Sequence, residues 1–244
     1  EEVIVPAQKK YESLSDRPMT VNVIAAEAMT EFANFSIQDI DKMTAGISVS
    51  GNGYDIDIAV RGLGTNLTAP VDSRVGLYVN GASIAQERGF FTGIYDLERF
   101  ELLRGPQGTL YGKASPAGAL LMQTRMPNLE RMDGYVQQVF TEHSGSNTQA
   151  GLSIPLIQNK LGLRIAGLYD QNENQELENV TLDKEGEVDT WSGRATLYWQ
   201  ASDRLDVSLM YQRIEDEIDV DQIVDGNGFD YADREAVNDF DSYL

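Results

Sequence analysis

The stretch from Asp96 to Arg125 leaves the chain few ways to fold. Glu98, Phe100, Leu102 and Arg104 alternate with Arg99, Glu101 and Leu103, the period-2 signature of a strand. Gly105-Pro106 and the spaced Gly108 and Gly112 give the backbone freedom to reverse, and after Gly118 an apolar run resumes as a further strand. Gly112-Lys113 has a superficial likeness to the end of a phosphate-binding loop. That loop needs Gly at position 107 and Ser or Thr at position 114, whereas the chain has Gln107 and Ala114. The stretch therefore reads as strand, rigid turn, strand.

The same reading predicts strands over residues 21–24, 47–50, 56–61 and 75–79 and helices over about 26–33 and 36–43. Ser36 is a plausible N-cap with Asp39 at the capping-box position; Ile37, Ile40 and Met43 share one face, and Gly46 lies near the helix end. Asn80-Gly81 is a strong tight-turn pair. At the N-terminus, Val3, Ile4 and Val5 favour an extended segment, and Pro6 cannot donate to a ladder.

From Gly134 the pattern changes to short amphipathic strands. The apolar sets are Ala150, Leu152, Ile154, Leu156; Leu161, Leu163, Ile165, Gly167, Tyr169; Trp191, Gly193, Ala195, Leu197, Trp199; and Leu205, Val207, Leu209, Tyr211. Ser153, Arg164, Arg194, Thr196, Asp206 and Ser208 alternate with them, and a less regular strand spans about 135–142. Residues 157–160 and 201–203 read as short connections and 172–190 as a long acidic loop, with Tyr169, Trp191, Trp199 and Tyr211 near strand ends. Such alternation fits a transmembrane barrel with a lipid face and a polar lumen. A soluble antiparallel sheet would alternate in the same way.

A net charge of -20 argues against nucleic acid as a partner, because phosphate neutralisation needs clustered Lys and Arg. The chain has no Cys, which excludes disulfides and thiolate metal sites, and no apolar run approaches the roughly 18 residues of a membrane-spanning helix. The single His, His143, has no second His with which to ligate a metal and reads as a loop residue. Asp219, Asp221, Asp225 and Asn227 carry oxygen donors suited to calcium but lack the regular loop spacing, so no metal and no cofactor is assigned. No hydrolytic or redox constellation is found, and the chain is not expected to be an enzyme.

The run Glu98-Arg99-Phe100-Glu101-Leu102-Leu103-Arg104-Gly105-Pro106, the turn ending Leu110-Tyr111-Gly112 and the small-residue run to Gly118 resemble the plug signature of TonB-dependent outer-membrane receptors. Val60-Arg61-Gly62-Leu63-Gly64-Thr65-Asn66 and Val75-Gly76-Leu77-Tyr78-Val79-Asn80-Gly81 resemble two further pieces in the same order; Phe100, Ala117 and Asn80 depart mildly from the usual residues. The resemblance covers about residues 1–127 and implies an α+β plug followed by antiparallel transmembrane β-barrel strands. It divides the chain into a TonB box at 1–8, a plug at 9–130 and about five strands of the barrel at 131–244. A plugged receptor barrel has about 22 strands, so the barrel here is incomplete and its last strand is expected to have an open edge.

The resemblance also implies a bacterial outer-membrane location and active import of a scarce substrate, most commonly a ferric siderophore. Its partners would be TonB with the inner-membrane motor, a small-molecule substrate and outer-membrane lipid. Glu2, Val3, Ile4, Val5, Pro6 and Ala7 would form the strand that pairs with TonB, which fits strand addition. Arg61 and Arg104 match the arginines that lock the plug to barrel carboxylates, for which bidentate guanidinium pairing is suited. Tyr54, Asn66, Phe90 and Phe91 fall where plug apices contact substrate. Import of an oligosaccharide, cobalamin or haem, or a non-transporting receptor or signalling module, are the alternatives.

Overall fold

The structure, a computed structural model, describes residues 4–5, 12–13, 21–25, 28, 40, 42, 44–51, 56–64, 74–84, 94–106, 115–140, 145–179, 184–202, 204–219, 229–230 and 235–236. The chain divides into two units, residues 1–125 and 126–244.

The strands of the first unit are, in chain order, β1 (Ile4–Val5), β2 (Glu12–Ser13), β3 (Val21–Ala25), β4 (Ile47–Gly51), β5 (Ile56–Val60), β6 (Leu63–Gly64), β7 (Val75–Val79), β8 (Ala82–Ser83), β9 (Leu97–Arg104) and β10 (Gly118–Thr124). A five-stranded mixed sheet runs β3-β9-β10-β7-β8, a three-stranded sheet runs β4-β5-β6, and β1 pairs with β2. Strands β9 and β10 are the antiparallel pair expected around the central turn, with Phe100 opposite Met122 and Leu102 opposite Leu120. β10 is parallel to β7, which puts Leu120 beside Leu77.

Alternation sends Ile24, Phe100, Leu102, Leu120, Met122, Val75 and Leu77 to one face of this sheet, where they join Ile47, Val49, Ile58 and Val60 in a single core. Val21, Leu103, Ala119 and Tyr78 form a second apolar cluster on the opposite face. Because both faces are covered, β7 and β10 read as nearly continuous apolar runs, as interior strands do.

Ala28, Ile40 and Lys42 are helical and lie within the two expected helices, and Ile40 is fully buried. The Thr44 N–H donates to the Ile40 carbonyl at 3.0 Å, and Gly46 at φ 82° ends the turn in the left-handed region that Gly tolerates best. Ser36, Ile37, Asp39 and Met43 lie outside the described residues. Arg61-Gly62 and Asn80-Gly81 both have positive φ at each residue, the geometry of two-residue hairpin turns. The strand expected over 56–61 therefore stops at Val60, because Arg61 is already the first turn residue.

The second unit is an antiparallel meander of β11 (Asp133–Phe140), β12 (Ser146–Ile157), β13 (Leu161–Asn179), β14 (Lys184–Ser202) and β15 (Leu205–Asp219), with short β16 (Phe229–Asp230) and β17 (Glu235–Ala236) beside the end of β13. Its burial is inverted relative to a water-soluble protein. Val136, Leu152, Ile165, Trp191, Trp199, Leu209 and Tyr211 are exposed, whereas Ser153, Arg164, Thr190, Ser192, Arg194 and Thr196 are buried. Register aligns the outward-facing residues across strands: Leu161 opposes Trp199, Ile165 opposes Ala195, and Tyr169 opposes Trp191. From Leu161 to Tyr169 the band runs about 26 Å along the strand at about 3.3 Å per residue, which at a tilt of about 40° spans about 20 Å of the roughly 25 Å apolar height of an outer-membrane barrel.

One expectation is corrected here. Residues 172–190 do not form a long loop: β13 continues to Asn179 and β14 begins at Lys184, with Gln171 opposite Asp189 and Glu173 opposite Glu187. Backbone pairing does not require apolar side chains, so the polar part of a tall strand carries no hydrophobic alternation and reads as loop. Tyr169, Trp191 and Tyr211 accordingly lie well inside their strands rather than near the ends, marking the rim of the apolar band. The connections at 157–160 and 201–203 are short as expected. Lys160 N–H closes the first onto the Ile157 carbonyl at 3.0 Å, with Asn159 at φ 57°.

Candidate functional site

The ends of β5 and β9 meet at one turn. Arg104, the last residue of β9, donates from Nη2 to the Ala45 carbonyl, and its guanidinium lies over Gly46, where a Cβ would stand 3.7 Å from Cζ. The Arg61 N–H donates to the Gly46 carbonyl at 2.9 Å. The two arginines singled out in the sequence are thus brought to the same short turn. The Arg61 side chain is exposed, and the Arg104 Nε is buried with no hydrogen-bond partner among the described residues. No described carboxylate forms an ion pair with either guanidinium. Each therefore has donors to offer a planar acceptor such as a carboxylate.

Of the expected N-terminal recognition segment, Ile4 and Val5 form β1, with Ile4 opposite Ser13 and Val5 opposite Glu12. Glu2, Val3, Pro6 and Ala7 lie outside the described residues, as do Tyr54, Asn66, Phe90, Phe91, His143, Asp221, Asp225 and Asn227.

Two polar arrangements escaped the sequence reading. Glu101, taken there as one more alternating strand residue, is 2% exposed; Arg99 Nε donates to its Oε1 at 2.7 Å, while Oε2 has no hydrogen bond among the described residues. Arg99 also reaches Glu98 at 2.5 Å. The available signal was the i, i+2 spacing of Arg99 and Glu101, which puts opposite charges on one face of a strand. The second is Asn80, whose Nδ2 donates to Thr124 Oγ1 at 2.9 Å while its Oδ1 accepts from the Thr124 N–H at 3.0 Å. This clamp ties the β7–β8 turn to the end of β10 and holds a non-glycine residue at φ 48°.

In the second unit, Arg164 donates from Nη1 to Ser153 Oγ at 2.7 Å and lies 3.7 Å from Asp133 Oδ1. Ser192 Oγ donates to the Arg213 carbonyl at 3.1 Å, and Asn147 Nδ2 donates to Asp170 Oδ1 at 2.7 Å. The inward face thus carries a hydrogen-bonded polar lining, with Ala166 and Leu168 as buried apolar members on β13. Among the described residues no group of three or more His, Cys, Asp or Glu side chains is arranged to hold a metal ion.

A two-layered plug-like unit followed by a meander with lipid-type polarity defines the class of an outer-membrane receptor. Residues 13–119 match the TonB-dependent Receptor Plug Domain family. The chain is 27% identical over 194 residues to the iron-regulated outer membrane virulence protein of Vibrio cholerae, covering 75% of this chain and 30% of that protein. It is 25% identical over 236 residues to a probable TonB-dependent siderophore receptor of Acinetobacter baumannii, covering 86% of this chain and 30% of that protein. Its fold matches the ferric yersiniabactin uptake receptor of Yersinia pestis with a TM-score of 0.73 at 21% identity, over 82% of this chain and 32% of that one. The chain thus spans under a third of the length of these relatives. It carries the plug domain of a TonB-dependent outer-membrane receptor and is similar to such receptors over most of its length.

Proposed function

We propose that the full-length receptor binds an iron chelate, most commonly a ferric siderophore in this family, and imports it across the outer membrane using energy delivered through TonB. The observation that carries the reading is the combination of a plug with strands whose exposed band is apolar and whose hidden face is mainly polar. The iron-regulated and siderophore-receptor relatives support the substrate class. In this reading residues 1–8 are the TonB box, 9–130 the plug and 131–244 barrel strands, and the chain performs no catalysis.

Glu2, Val3, Ile4, Val5, Pro6 and Ala7 pair with TonB, Arg61 and Arg104 lock the plug to barrel carboxylates, and Tyr54, Asn66, Phe90 and Phe91 contact substrate. Substrate must bind the box-available state more tightly than the box-hidden state, because a ligand of equal affinity for both shifts nothing.

The test is growth and uptake of radiolabelled ferric siderophores by a deletion strain under iron limitation, complemented with the full-length receptor or its Val5→Pro variant. Complementation by the first alone, with substrate binding retained in both, is expected. Uptake that does not depend on the receptor for any iron chelate would refute the substrate class.

A further inference from the structure

We propose that residues 127–133, which lead into the first barrel strand, are a fixed anchor on the inward wall of the β12–β13 hairpin, so that remodelling of the plug by TonB stops at Arg125. The inference rests on the reading of this chain as part of a TonB-driven importer and deepens it: the end of the movable part shifts from residue 130 to Arg125.

The basis is a missing side chain. Gly162 lies on β13 and, by alternation, on the same buried face as Arg164. A Cβ there would stand 2.9 Å from Pro127 Cβ, 2.9 Å from Leu129 Cδ2 and 3.4 Å from the Asn128 carbonyl oxygen. The backbone of Gly162 is outside the left-handed region, so the strand itself would accept a side chain. Glycine weakens a strand interior and often marks the close approach of another backbone. Here that backbone is the segment 127–129, and Pro127 is buried against the wall.

Polar contacts fasten the same segment. The Asn159 N–H, in the β12–β13 turn, donates to the Leu129 carbonyl at 2.9 Å. Asn128 Oδ1 accepts from the Glu130 and Arg131 N–H groups at 2.9 and 3.2 Å, and its Nδ2 donates to Asp133 Oδ2 at 3.0 Å. Through its other oxygen Asp133 reaches Arg164, which is bound to Ser153. One Asn side chain thus shapes the turn, and Asp133 ties it to β12 and β13. On the other side of Met126 the partners change. Arg125 donates from its N–H to the Asp96 carbonyl and from Nε to the Leu97 carbonyl, both at 3.0 Å, where β9 begins.

A pull that arrives through the plug therefore reaches the anchor only along the chain, through Arg125 and Met126. The contacts that seat residues 127–133 are made within their own unit, so they persist when the plug sheet is remodelled. Without them the C-terminal end of the plug could be drawn off the wall, opening a path to solutes that the intact receptor excludes.

The experiment measures entry of vancomycin, too large for an intact outer membrane, into iron-limited cells carrying the full-length receptor, with and without TonB. Gly162→Val is expected to raise entry about tenfold where TonB is present, the factor given by overpacking worth about 1.4 kcal/mol, and to leave cells without TonB like wild type. Asn128→Ala removes the polar turn without adding bulk and is expected to give a smaller, several-fold rise with the same TonB dependence. Pro127→Cys with Gly162→Cys brings two thiols within reach of a disulfide after a shift of about 1 Å. Reduced, this pair is expected to leak like Gly162→Val. Oxidised, with closure confirmed by mass, it is expected to return to wild-type entry and to leave uptake of radiolabelled ferric siderophore unchanged.

Entry that rises in neither Gly162→Val nor Asn128→Ala, or that rises equally without TonB, would overturn the proposal. So would siderophore uptake that is lost on oxidation and restored on reduction, because the segment would then have to leave the wall during import. A wild-type receptor that takes up no ferric siderophore would refute the transport reading, while the anchor is still judged by TonB-dependent entry.

Discussion

The two units of this chain solve opposite solvation problems with the same local structure. In the first, both faces are covered: β9 and β10 hide Phe100, Leu102, Leu120 and Met122 on one and Leu103 and Ala119 on the other. In the second, alternation along β13 and β14 hides Arg164, Thr190, Ser192, Arg194 and Thr196 and presents Ile165, Trp191 and Trp199 outward. A strand's period of two says only that its faces differ. Which face is buried depends on what surrounds the sheet: water excludes apolar side chains from contact, whereas a bilayer accepts them and excludes unsatisfied polar groups. The difference teaches that amphipathic strands must be read together with a neighbour that fixes the solvent, which here is the plug.

The comparison is broken most directly by truncating the plug core. Phe100 is fully buried between Ile24 and Met122 in register, and Phe100→Ala should cost about 3–5 kcal/mol. Hydrogen exchange on the full-length receptor checks it: amides of β9, β10 and β3 should lose protection while those of β13 and β14 keep theirs. Equal loss in both units would show that they do not behave as separate cores.

Next in size is Ile165→Arg, at a position 49% exposed in the middle of the apolar band. On a water-facing sheet such a surface change falls within about 0.5 kcal/mol; at a bilayer midplane it costs about 2–4 kcal/mol. Folding into lipid vesicles, followed by urea titration, distinguishes the two, and a negligible cost would remove the inverted-polarity argument. Ile165→Ala is expected to cost little in either solvent.

Much of this was legible in the residues. The core strands were found nearly to the residue because Val75-Gly76-Leu77-Tyr78-Val79 and Gly118 to Met122 are apolar runs bounded by turn chemistry. Asn80-Gly81 announced its hairpin because both positions need positive φ. The upper parts of β13 and β14 were invisible, since Glu173 opposite Glu187 has none of the alternation by which a strand is recognised. Arg61 and Arg104 were singled out by the resemblance to plug domains, but nothing local shows that both reach the Ala45–Gly46 turn, a contact that bridges distant parts of the chain. The burial of Glu101 was hidden for a related reason: its strand alternates polar and apolar residues, yet both faces of the sheet are covered.

The smallest effect tests the finest part of the contrast, a polar side chain that ties a turn to the end of a strand in the plug sheet. Asn80 gives two hydrogen bonds to Thr124 through both ends of its amide and sits at φ 48°, where Asn is among the few tolerated side chains. Asn80→Ala removes both bonds, leaves the Thr124 N–H without that acceptor in a fully buried residue, and puts Ala at a positive φ, for a loss of about 1–3 kcal/mol. Asn80→Asp keeps an acceptor for the Thr124 N–H and can accept from its hydroxyl, so it should cost under about 1 kcal/mol. Exchange of the Thr124 amide reports on the difference, rising in the first variant and staying near wild type in the second. Identical rates in both would mean that the turn geometry alone, rather than the side-chain clamp, holds the end of β10.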